Sequence, residues 1–162
     1  MATNMRTALA SAVVARLQAV IPAVAVERGR RAAVGEGERP LILVETSDAA
    51  ADDDMSPSET FWTLTFTATA FLVASRGAGA SGAQADVAAE DALGDMEAAI
   101  IAALHAESLS TPGGTAPLTC GVEIAGSQID ITEAASAAKR LGSVSVDFRA
   151  QIVLPVGTTI IP

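Results

Sequence analysis

Bulky and polar side chains alternate with a period of two from Phe61 to Val73 (FWTLTFTATAFLV), the longest such run in the chain. Successive side chains of an extended strand point to opposite faces. Trp62, Leu64, Phe66, Ala68, Ala70 and Leu72 therefore share one face, and Phe61, Thr63, Thr65, Thr67, Thr69 and Phe71 share the other. This predicts a central strand with one greasy side. The threonine side suits a sheet face that is half wet or that meets another subunit. Ser143 to Leu154 repeats the pattern, with Val144, Val146, Phe148, Ala150, Ile152 and Leu154 inward.

Two stretches carry the helical period instead. From Thr3 or Asn4 to Ile21, residues Met5, Leu9, Val13, Leu17 and Val20 recur at spacings of three and four, with Asn4 or Thr3 as cap and Pro22 as stop. From Asp86 to Ala106 the stripe is Ala89, Leu93, Met96, Ile100 and Leu104, widened by Val87 and Ile101. Asp86, Glu90, Asp91 and Asp95 load its N-terminal half, where negative charge complements the helix dipole.

Shorter pieces complete the prediction. Val24 to Arg28 begins a short strand, Leu41 to Glu45 reads as a buried one, and Leu118 to Ile124 and Gln128 to Thr132 are further extended pieces. Ser47 to Thr60 has no hydrophobic period and reads as an acidic loop, and Glu133 to Gly142 as a polar connection. The tail VGTTIIP is expected as a free end or a strand given to a neighbour. The fold class is α+β: a mostly antiparallel sheet with two amphipathic helices packed on one face, in a single domain spanning 1–162.

Composition narrows the chemistry. At 162 residues the chain can bury a core of its own, built from small aliphatics because there is one tryptophan and no tyrosine. A net charge of -9 opposes an electrostatic grip on nucleic acid. One cysteine, Cys120, and one histidine, His105, exclude an intrachain disulfide and a Cys/His zinc cluster. Cys120 is expected as a buried, inert thiol, and His105 as a capping or surface residue. Arg6 and Arg16 interrupt the first apolar run, so neither a signal peptide nor a membrane segment is expected.

Motifs for chemistry are weak. DAAADDDMSPSE lacks the ligand spacing of a calcium loop, and Arg76 to Gln84 lacks the lysine of a phosphate-binding loop. No catalytic, cofactor or metal residue is indicated, and an enzyme is not expected. Arg28, Arg30 and Arg31 form a basic cluster, read as a solvated loop or as an intersubunit contact with acidic residues.

In element order the chain resembles the tail terminator proteins of long-tailed bacteriophages, including the lambda-type minor tail protein and related proteins of gene transfer agents. The likeness rests on MRTALASAVVARLQAV, RPLILVET, FWTLTFTATAFLVAS, ADVAAEDALGDMEAAI and SVSVDFRAQIVLP. It implies a virion structural protein made in the host cytoplasm, forming a closed ring, a hexamer, on the head-proximal end of the tail. Its implied partners are further copies of itself, the tail tube protein and a head-to-tail connector protein. DNA would pass through the lumen without specific binding. Asp52, Asp53, Asp54 and Glu59 are then candidates to face the lumen or the tube, and Thr65 and Thr67 to lie near a subunit interface. Alternatives are another head-to-tail connecting ring protein and, in a different class, a small-molecule-binding or enzymatic α+β domain.

Overall fold

In a computed structural model, residues 3–30, 32–52, 58–75, 81–111, 117–133, 139–155, 158, 160 and 161 are described. The alternating run forms β4 (Glu59–Ser75), the middle strand of a five-stranded sheet. Around it the chain runs β1 (Thr3–Asn4), α1 (Met5–Val20), β2 (Ala25–Arg28), β3 (Leu41–Asp52), β4, α2 (Gly82–Leu104), β5 (Val122–Glu133), β6 (Lys139–Pro155) and β7 (Ile160–Ile161). The sheet order is β2-β3-β4-β6-β5. Only the β2–β3 pair is parallel; the others are antiparallel. The expected α+β class is the one found.

Along β4 and β6 every second residue turns toward the helices, and Leu64, Phe66, Ala68, Ala70, Val144, Val146, Phe148, Ala150 and Ile152 are buried there. Phe66 and Phe148 sit opposite each other in register, their rings stacked with centroids 5.2 Å apart. Such a pair contributes about 0.5–1.5 kcal/mol beyond the area it buries. α1 packs on β2 and β3, and α2 on β4, β6 and β5, so the two helices lie side by side on one face. Ala68, Ala70 and Ala150 keep that face low. Gly142 lowers it further: a Cβ there would lie 2.6 Å from Leu93 Cδ1 of α2.

The caps are local. Asn4 accepts from the Arg6 N–H at α1, and Ser81 and Gln84 bond each other's backbone N–H in a capping box at α2. α2 thus begins four residues before the expected Asp86, because the cap lies inside the glycine-rich stretch.

Several expectations are corrected. β3 does not end at Glu45; it continues through half of the predicted acidic loop to Asp52, with a register shift between Thr46 and Ala49. Pairing with β4 supplies the order that its polar sequence does not advertise. Val122 to Glu133 is one strand interrupted by a bulge between Ile124 and Gly126, not two pieces. β6 starts at Lys139, inside the predicted polar connection. Cys120 precedes β5 and is exposed, its N–H bonded to Gln151 O; the neighbouring Thr119 is buried instead and accepts from the Leu109 N–H. Val87 is exposed, since it lies about 200° around the helix from buried Ala85. The tail is neither free nor donated: Ile160 and Ile161 pair with Asn4 and Thr3 of the same chain.

Two substitutions test this core. Phe148→Ala should cost about 3–5 kcal/mol, and Gly142→Ala about 1–3 kcal/mol as Leu93 is displaced from its buried position. Urea denaturation measures both, and a wild-type midpoint for Gly142→Ala would contradict the close helix–sheet contact.

Candidate functional site

Helices cover one side of the sheet. The other carries Phe61, Thr63, Thr65, Thr67, Thr69 and Phe71 from β4, with Val153, Gln151, Arg149, Asp147, Ser145 and Ser143 from β6 directly opposite them in that order. Residues opposite each other on neighbouring strands share a face, so these form cross-strand rows. Thr67 Oγ1 donates to Asp147 Oδ1 at 2.6 Å, and the Thr69 and Ser145 hydroxyls lie 3.0 Å apart. Glu45 stands opposite Thr67 on β3, and Glu123 opposite Arg149 on β5.

One end of this face is closed by the chain itself. Residues 32–40 cross it: the Arg39 guanidinium lies over the Phe71 ring, 5.5 Å from its centroid, and donates to Leu72 O and Gly142 O. Lys139 Nζ meets Glu36 Oε1 at 3.2 Å. Leu41 and Leu43 are consequently buried although they point away from the helices. A clip holds the segment's shape, with Arg30 donating to Glu38 Oε1 at 2.7 Å and to Glu27, and Glu38 accepting from the Gly35 N–H. The hydrogen bond from Arg30, aided by that from Gly35, holds the Glu38 carboxyl below its ordinary value. The open face proper therefore runs from Thr63 to Thr69 and from Ser145 to Gln151.

The candidate residues do not converge on one site. Thr65 and Thr67 lie half-buried on the open face. Glu59 opens β4 and is exposed, and Asp52 closes β3 opposite Phe61. Asp53, Asp54 and Arg31 lie outside the described residues. Arg28, at the end of β2, turns to the helix side and donates to Thr7 O and Ser11 Oγ of α1. Arg30 is engaged in its own segment's clip.

Two concavities were not anticipated. One, of about 350 Å³, is lined by Arg6, Thr7, Ala10, Arg28, Gly29, Val44, Glu45 and Thr46, where β2 stops and β3 continues. The other, of about 560 Å³, opens beside β5 and gathers Thr63, His105, Cys120, Glu123, Arg149 and Gln151. His105 caps α2 through its backbone N–H and is exposed, as is Cys120. No hydrogen bond joins the Cys120 thiol to His105, so the pairing that activates a nucleophilic thiol is not made. Among the described residues no group of three or more His, Cys, Asp or Glu is placed to hold a metal ion, and no helix is long and apolar enough to cross a membrane. The sequence signal for the first concavity was the cluster at Arg28; for the second there was none, because His105, Cys120 and Arg149 are far apart in the chain.

No family model matches the chain, and no curated protein matches it significantly. Among solved structures it is similar to a chain of the virion of a native gene transfer agent particle. That similarity covers 91% of this chain and 96% of the other, at 17% identity and a TM-score of 0.47. At that identity and score it transfers neither residues nor role.

The Arg30–Glu38 clip has a pH dependence. A depressed carboxyl stabilises the folded form above its unfolded value, about 4.3, and the contribution is lost as pH falls through the folded value. An NMR titration should find Glu38 below the exposed glutamates in the wild type and moved up toward them in Arg30→Gln. Equal values in both proteins would contradict the clip.

Proposed function

We propose that this chain is a phage-type virion structural protein that assembles into a closed ring at the head-proximal end of a tail, ending the tube and joining it to the neck. The observation that carries the reading is the half-covered sheet. Two helices bury the β4 and β6 side chains of one face, while the other presents Thr63 to Thr69 and Ser145 to Gln151 as rows of hydroxyl groups with Asp147 and Arg149 among them. Small hydroxyl side chains and half-buried aromatics at its ends suit contact with another protein, and the concavity beside β5 reaches these rows only at Thr63, Arg149 and Gln151. The element order is the one on which the likeness to tail terminators rests, now with the helix, hairpin, helix and long final strand in three dimensions.

The roles follow from placement. The open face meets a neighbouring virion protein, with Thr65 and Thr67 at its middle. The β3–β4 hairpin projects past the end of β2 and carries Asp48, Asp52 and Glu59 toward its tip. Acidic side chains at a lumen repel phosphates and let DNA pass. Self-association, the tail tube protein and a connector protein are the partners of this reading, and a hexamer is its ring.

Purified protein should form a discrete ring of about six copies as its concentration is raised, seen by light scattering and in electron micrographs. A monomer at all concentrations contradicts the proposal. Thr65→Lys with Thr67→Lys should melt like the wild type yet be left out of assembled tails; normal incorporation would remove the open face from the account.

A further inference from the structure

The two flanks of the helix layer carry opposite charge. α1 contains Arg6 and Arg16 and no acid; α2 contains Asp86, Glu90, Asp91, Asp95 and Glu97 and no base. Within the chain the two helices meet, and Arg16 serves that contact through Ala103 O and Glu107. Arg6 and Arg28 do not. Each is spent only on neutral acceptors, Ser47 O for Arg6 and Thr7 O and Ser11 Oγ for Arg28, and among the described residues neither has a carboxylate within 4 Å. Both line the concavity of about 350 Å³ at the α1/β2 flank, with Glu45 of β3 beside them and more than 4 Å from either guanidinium.

The opposite flank is built to complement it. Asp86, Glu90 and Glu97 follow at intervals of four and seven and so share one side of α2. Asp86 bonds Arg140 of β6, which turns that side away from α1 and toward β5. Below it, Ile124 and Ile129 of the edge strand point to the helix side yet remain 39% and 41% exposed, because α2 does not reach over them. Glu90 is exposed and Glu97 half-buried, and neither has a cationic partner among the described residues.

We propose that the acidic α2/β5 flank of one copy docks on the basic α1/β2 flank of the next, Ile129 entering the concavity and Glu90 and Glu97 meeting Arg6 and Arg28. The occupant is a second copy of this chain because the flanks complement each other: apolar knobs beside the carboxylates of α2 against a hollow where Arg6 and Arg28 outnumber the one acid, Glu45. Different surfaces meeting head to tail form a heterologous contact, which closes into a ring when its rotation closes. The bulges in β3 and β5 disfavour regular strand pairing at both edges, so side chains carry the contact. This rests on the ring reading and assigns its copy-to-copy interface, leaving the open face for the ring's other partner.

Charge exchange tests it. Glu90→Lys with Glu97→Lys, and separately Arg6→Glu with Arg28→Glu, should each raise the concentration for half-assembly at least about a hundredfold, since like charges then face each other. Mixed in equal amounts, the two variants should assemble again as alternating copies. Assembly of either variant alone at the wild-type concentration, or no rescue on mixing, overturns the flank assignment and leaves the ring standing. A wild type that never assembles overturns both. Should a variant fail to fold by circular dichroism, Thr7→Cys with Ile129→Cys in a Cys120→Ser background decides the matter. Oxidation should link copies into a covalent series, and a product that stays monomeric counts against the contact.

Discussion

The structure depends on the pairing of β4 with β6. Seventeen residues of each strand are in unbroken register, and the hydrophobic period of both puts Phe66 on Phe148 at the middle of the helix-covered face. Slipping either strand by one residue would turn those rings to the open side and send threonines and serines into the core. Every other element takes its position from this ribbon. β3 and β5 add at its sides, and α2 packs down on Gly142 and the alanines because nothing larger stands in the way.

That ribbon also makes the molecule two-sided. Side chains alternate strictly, so filling one face with phenylalanine, valine and alanine leaves the other to Thr63 through Thr69 and their partners on β6. Residues 32–40 cover only the end near Phe71, held by Arg39 and the Arg30–Glu38 clip. Hydroxyl polarity there is local, since Thr67 donates to Asp147 and the Thr69 and Ser145 hydroxyls meet, while Asp147 and Arg149 keep charge on this surface that a partner has to match. Hydroxyl rows thus occupy one side of the sheet, and helix flanks of opposite charge the other.

What could be read in the sequence was what has a period. β4, β6, α1 and most of α2 announce themselves, and with them the fold class. The second half of β3 did not, because Ser47 to Asp52 is ordered by its partner strand and not by its own side chains. β5 was half-hidden for the same reason, its bulge breaking the alternation. Cys120 was misplaced because burial there fell to Thr119, which a solitary cysteine cannot reveal. That Thr65 and Thr67 point away from the hydrophobic side was legible in the alternation of β4, whereas Arg6 joining Arg28 required knowing which sheet edge α1 covers. The opposite charges of the two helices stand in the sequence, but only their placement in one layer gives them meaning.

The central claim is that the open face is covered in the particle while the outer side of α2 is not. Carboxylate footprinting by mass spectrometry, comparing free protein with assembled tails, reads this at Asp147 and Asp95, both exposed in the single chain. The account predicts that Asp147 becomes strongly protected on assembly and that Asp95 remains modified as before. Equal modification of Asp147 in free and assembled protein would contradict it.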